Sequence, residues 1–262
     1  MTVRTRRAVF LLAAAVLAAV LAWAFGGLPH FGASRPSSGL TLNQLAVPQR
    51  HITDVVTAVN FDYRGFDTLG EEFIFFAAVL GTALILRPKL AERPGHVADY
   101  ATGRAVPPTS DAVRVIGLGL TPPTVVFGLY VIAHGHLTPG GGFQGGVVVA
   151  TAVLLIYLAG EFEDLHGLYT EVALERAEAI GAAGYVGVGL LGLAAGGVFL
   201  QNVLPLGQTG SVFSAGVVPL INLSVGLEIT AGLVLLLTNF LHQVIVLRPG
   251  ARSAPTALPP RV

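Results

Sequence analysis

Six apolar stretches, each long enough to cross a bilayer, restrict this chain to a bundle of membrane-spanning helices. They cover approximately 8–25, 69–86, 113–133, 141–160, 179–201 and 218–241. A helix of about 20 residues, rising 1.5 Å per residue, matches a hydrocarbon core of about 30 Å. Within lipid the backbone must satisfy its own hydrogen bonds, and for separate runs of this length the helix does so. The expected fold class is therefore all-α, a polytopic integral membrane protein with about six transmembrane helices. Charged residues make up only 11% of the sequence, less than half the roughly 25% of soluble domains. A formal net charge of zero gives no basic character suited to nucleic acid. Cysteine is absent, which excludes disulfides and thiol chemistry and speaks against a zinc or iron–sulfur centre. Neither a metal nor an organic cofactor is expected.

The basic residues orient the spans. Arg4, Arg6 and Arg7 precede the first; Arg87, Lys89, Arg93, Arg104 and Arg114 surround the connection from the second to the third. Arg176 lies between the fourth and fifth, and Arg248, Arg252 and Arg261 follow the last. With six spans these twelve share one side, leaving Arg35, Arg50 and Arg64 on the other. Because basic loops stay inside, both termini are expected in the cytoplasm of a multi-pass protein of the inner (plasma) membrane. The first run has a second reading, since its basic start and Ala22-Trp23-Ala24 also fit a cleavable signal peptide. Its long apolar core favours a retained anchor, and cleavage would leave the other five spans unchanged.

Between the first two spans, a Gly/Pro/Ser-rich linker over 26–39 gives way to Ile52, Val55, Val56 and Val59 at helical spacing. That pattern predicts a short amphipathic helix in the interface plane. The 87–108 connection, with four prolines, is the best internal boundary. The expected organisation is a two-span unit with its interfacial helix over 1–111, a four-span unit over 112–250, and a disordered tail over 251–262. Pro122 and Pro123 predict a kinked or interrupted third span.

Acidic residues inside apolar runs are the candidates for chemistry. The uncharged run 73–86 would cover only about 21 Å, so the second span must reach back through Glu72 and Glu71. Ionisable groups at membrane depth point to ion handling; the structural alternative is a helix starting at the headgroups, with Asp67 as its cap. Glu228 is the only charged residue between Glu178 and Arg248. An isolated carboxylate there costs about 3 kcal/mol unless it is paired, protonated or facing a cavity. Asp67, Glu71, Glu72 and Glu228 are thus ion-pathway candidates, with Asp67 and Glu71 ranked first.

Between the third and fourth runs stands His134-Gly135-His136-Leu137-Thr138-Pro139-Gly140-Gly141-Gly142-Phe143-Gln144-Gly145-Gly146. Two histidines without a third ligand make a weak metal pattern. Holding the turn through hydrogen bonds to carbonyls is the leading role, and proton handling by His136 is the alternative. No Lys-Ser/Thr follows the glycines, so a phosphate loop is not indicated. Pro139 is expected to open the next helix, with the glycines packing close to neighbouring helices.

The segment at 135–146 resembles the signature of the B subunit of Mrp-type multisubunit Na+/H+ antiporters (the MnhB family), Gly-His-x-x-Pro-Gly-Gly-Gly-Phe-x-Gly-Gly, at every fixed position. Its matching residues Gly135, Pro139, Gly140, Gly141, Gly142, Phe143, Gly145 and Gly146 are expected to form a structural hinge. Residues 60–71, Asn-Phe-Asp-Tyr-Arg-Gly-Phe-Asp-Thr-Leu-Gly-Glu, resemble a segment near the end of the large A-type chain, and one in the E-type chain of membrane-bound hydrogenases. The chain is therefore similar to a two-span A-type piece fused to a B-type one. One departure stands before the last helix, where Leu223 to Glu228 replaces a Phe-Asp-x-Gly-Val-type segment. The resemblance implies a non-enzymatic subunit of a cation/proton antiporter complex, partnered by large A/D-type subunits and further small ones. The alternative it leaves is a membrane subunit of a related hydrogenase or complex I-like redox complex.

Overall fold

A computed structural model describes residues 3–28, 37–86, 109–159 and 170–241. These residues form α1 (Val3–Gly26), α2 (Ser37–Arg50), α3 (Val55–Ala58) with a π-helical turn (Val59–Tyr63), α4 (Gly65–Leu86), α5 (Asp111–Ala133), α6 (Gly142–Ala159), α7 (Glu171–Gly196) and α8 (Val218–Leu241). The fold is all-helical, with no strand among the described residues. Six helices are long and apolar enough to cross a membrane: α1, α4, α5, α6, α7 and α8. The 87–108 connection and the tail at 251–262 lie outside the described residues.

The chain divides into a unit over Met1–Asn43 and a unit over Gln44–Val262. Within the first, α1 exposes its apolar side chains all round, Trp23 to 82%, as a lone helix in lipid would. The second unit is a bundle centred on α8, which packs against α4, α5, α6 and α7. Glycines set the spacing, because lipid supplies no hydrophobic force between helices and van der Waals contact needs close approach. A Cβ on Gly128 would lie 3.0 Å from Gly145 O, joining α5 to α6. One on Gly146 would lie 2.9 Å from Ile229 Cβ, joining α6 to α8. On Gly181 it would meet Glu228 Cβ at 2.7 Å, joining α7 to α8.

Local rules place the helix ends. Thr170 caps α7, its Oγ1 accepting from Ala173 N at 3.2 Å, and Gly197 ends it at φ 82°. The fifth span therefore begins eight residues before the expected 179, since the Thr170 cap recruits Glu171 and Glu175 into the helix. Asp54 starts α3 by accepting from Thr57 N at 3.0 Å. The amphipathic segment is consequently divided: Ile52 is buried before the helix begins, and the rest is a single turn continued by the π turn. Ser37–Arg50 is helical where a linker was expected up to 39. The third span runs through Pro122 and Pro123 without a break.

Candidate functional site

The hinge is built by short polar side chains gripping backbone. After α5, His134 N donates to Tyr130 O at 3.0 Å and its ring stacks on that of Tyr130, with centroids 4.1 Å apart. Thr57 Oγ1 donates to Gly135 O at 2.6 Å, and Thr53 Oγ1 donates to Leu137 O at 2.6 Å. Gly140 and Gly141 adopt φ of 150° and 125°, a region that suits glycine. Asn222 of α8 then accepts from Gly142 N through Oδ1 at 2.8 Å, satisfying the first donor of α6. Pro139 lies in the bend before the two extended glycines and does not open α6, which starts at Gly142. Phe143 meets Phe75 edge to face, with centroids 6.3 Å apart.

His136 is fully buried in this hinge. Its Nε2 lies 3.2 Å from Ser211 O, and its carbonyl accepts from Thr53 N at 3.1 Å. Burial holds the imidazole below its ordinary value of 6.5, opposed by the contact with Ser211 O. The native state thus keeps His136 neutral while the unfolded chain takes up a proton. Its contribution to stability is full above 6.5 and is lost as pH falls below it, by up to about 1.4 kcal/mol per pH unit. Thermal melts of the purified chain between pH 7.5 and about 5 should show a fall that His136→Asn flattens; an unchanged slope in the variant would refute this assignment.

Inside the bundle, three carboxyls converge from three helices. Glu72 of α4, Glu178 of α7 and Glu228 of α8 are 3%, 6% and 0% exposed. Glu72 and Glu228 face each other closely enough to interact. The approach stops short of a well-formed hydrogen bond, since Glu72 Oε2 and both Glu228 oxygens have no partner among the described residues. Glu178 is the next carboxyl to Glu228, and its Oε1 is likewise unpartnered among the described residues. The adjacent Tyr185, fully buried, donates from its hydroxyl to Gly65 O at 2.8 Å. Asp67 and Glu71 stand apart from this group: Glu71 points out of the bundle, and Asp67 pairs with Arg64 on the surface. Such exposed pairs contribute little.

At the hinge end, Arg50 Nε pairs with Asp62 Oδ1 at 2.8 Å and its guanidinium lies over the Tyr63 ring. Asp62 Oδ2 accepts from Asn202 Nδ2 at 2.8 Å, and Asn202 Oδ1 accepts from Val217 N at 3.0 Å. These groups border a depression of about 530 Å³ whose wall includes Gly65.

Glu178 and Tyr185 are not among the residues that the sequence singles out. Glu178 falls just outside a span drawn from uncharged residues; the signal for it is the capping Thr170, which starts the helix earlier. Tyr185 has a weaker signal, a lone phenol among glycines.

A family model described as a domain related to the MnhB subunit of Na+/H+ antiporters matches residues 112–235. An uncharacterized protein of Methanocaldococcus jannaschii is 30% identical over 207 residues, covering 73% of this chain and 78% of that protein. A probable K+/H+ antiporter A/B chain of Rhizobium meliloti is 31% identical over 123 residues, covering 41% of this chain but only 12% of the relative. Among solved structures, a chain of a membrane-bound sulfane sulfur reductase, an archaeal respiratory membrane complex, superposes with a TM-score of 0.65 and 32% identity, covering 90% of this chain and 98% of that one. A chain of the Mrp complex from Dietzia sp. shares the fold, with a TM-score of 0.62 and 22% identity over 91% of this chain and 26% of its own length.

Proposed function

We propose a function from one premise: the chain belongs to the family of membrane subunits carrying a domain related to the MnhB subunit of Na+/H+ antiporters. It is a small, multi-pass subunit of a multisubunit monovalent cation (Na+)/proton antiporter complex, structural in most of its surface and lining an ion route at its buried carboxyls. It works by secondary transport without covalent chemistry, beside large antiporter-like subunits in the plasma membrane. Both termini face the cytoplasm, and the hinge faces out. A two-span N-terminal unit over 1–111 joins a four-span unit over 112–250, and 91% of the chain superposes within one longer chain of the Mrp complex.

The carrying observation is Glu228, fully buried at mid-helix and opposite Glu72. An acid in that setting is expensive to keep unless it handles ions. Glu72→Gln should lower cation-driven proton exchange in vesicles containing the intact complex by about tenfold, equivalent to about 1.4 kcal/mol in the barrier. Glu71→Gln should impair exchange less, because Glu71 faces outward towards lipid or a neighbouring subunit. Wild-type exchange in the Glu72 variant would count against the route.

A second reading is favoured by the 32% identity to the sulfane sulfur reductase chain, nearly all of which is covered. The same subunit then couples ion movement to a redox module. Native purification followed by identification of the co-purifying chains separates the two: antiporter subunits alone support the first, and redox subunits support the second.

A further inference from the structure

We propose that the interior of this chain carries protons from the hinge-end depression to the opposite end of the bundle through Glu72, Glu228 and Glu178, with Glu178 as the far relay. The inference rests on the reading that the buried carboxyls line an ion route, and extends it to a complete path and a specific ion.

The three acids are staggered in depth. Counting 1.5 Å per residue from the hinge end, Glu72 lies about 10 Å down α4 and Glu228 about 15 Å down α8. Glu178 Oε1 lies beside Gly232, about 21 Å down α8, where an added Cβ would be 3.1 Å away. Successive carboxyls therefore descend over about 11 Å, the middle third of a hydrocarbon layer of roughly 30 Å. Each is at least nine-tenths buried, and each has an oxygen without a partner among the described residues.

Each end of this series leads towards a more accessible group. Gly65 lines the depression and accepts from the Tyr185 hydroxyl, and Tyr185 neighbours Glu72. At the other end Glu175, exposed and one turn before Glu178 on α7, lies close enough for their charges to interact.

The interior is not built to hold a metal cation: among the described residues no three His, Cys, Asp or Glu side chains are grouped to ligate one. Gly181 faces Glu228, and Gly232 faces both Phe75 and Glu178, with less space than a single methyl group needs. A bare cation needs a shell of several oxygen ligands, whereas Glu178 is lined by Phe75 and Gly232. A proton needs only an acceptor oxygen at each step. Glu228 takes a proton from Glu72 and passes one to Glu178; Glu72 is reprotonated from the depression side and Glu178 releases its proton towards Glu175, so a single charge crosses and all three carboxyls return to their initial state.

The test uses the intact complex in vesicles, with proton flux read by an internal pH dye and cation flux by tracer. Glu178→Gln should lower proton flux about tenfold or more, and Glu178→Asp should retain part of it. Infrared difference spectra of the same complex supply a readout independent of transport. A carboxyl band should shift in D2O, and Glu178→Asp should move that band. If Glu72→Gln and Glu228→Gln block flux while Glu178→Gln does not, the relay is overturned and the proposed function stands. If none of the three changes flux, both fail. Should Glu178→Gln not assemble, absence of a D2O-sensitive band altered by Glu178→Asp overturns the relay.

Discussion

Replacing Gly142 with leucine should abolish recovery of the folded chain. A Cβ at that position would strike Asn222 O, lie 2.7 Å from Val225 Cβ and 2.9 Å from Gly226 N. Two of those three obstacles are backbone atoms of α8, which no rotamer change can move. Overpacking a core by a few methylenes costs about 1–3 kcal/mol, and leucine here adds four carbons against rigid helix. The same change displaces the Asn222 amide from Gly142 N, orphaning a buried donor at about 1–3 kcal/mol more. Gly119→Leu is the control, since nothing lies within 4 Å of its Cβ position. Monodisperse elution of the Gly119 variant and aggregation of the Gly142 variant are the expected outcomes; equal recovery of both would refute the close-packing role.

The membrane helices are legible in the sequence because apolarity over about 20 residues needs no periodicity to be read. Their ends are less so. Charge alone would start the fifth span at 179, yet a helix end at a bilayer surface tolerates acids in its first turns, and α7 keeps Glu171, Glu175 and Glu178. Residues 37–50 carry Gly39 and Pro48 and no regular apolar stripe, so nothing marks them as helical. The hinge is readable as a packing turn from its glycines. Its partners, Thr53, Thr57 and Asn222, come from distant segments and leave no local trace.

The candidate site shows the same division. Glu228 stands out as a charge in an apolar run. Glu71 and Glu72 are adjacent on a helix and point about 100° apart. Because α4 is apolar all round, no stripe shows which would turn inward. Packing decides it: Phe75 against Gly232 fixes the rotation of α4 and brings Glu72 to Glu228. The weight placed on Asp67 and Glu71 therefore moves to Glu72, Glu228 and Glu178 as ion-route candidates.

Asp62→Ala should destabilise the hinge end by about 2 kcal/mol, and adding Arg50→Ala should return part of that loss. Asp62 is the single acceptor that joins Arg50 from α2 to Asn202 from the loop after α7. Its side chain is only 4% exposed, while that of Arg50 is 35% exposed. Breaking a fully buried pair costs about 3–5 kcal/mol, mostly from the charge left behind; partial exposure of Arg50 lets water offset some of it. Removing both charges leaves no uncompensated group, so the double variant should be more stable than Asp62→Ala alone. Thermal midpoints of the four chains form the cycle that measures this coupling. Strict additivity would mean that Asp62 acts through Asn202 instead, which holds Val217 N at the start of α8. In that case Asn202→Ala should reproduce the loss with Arg50 intact.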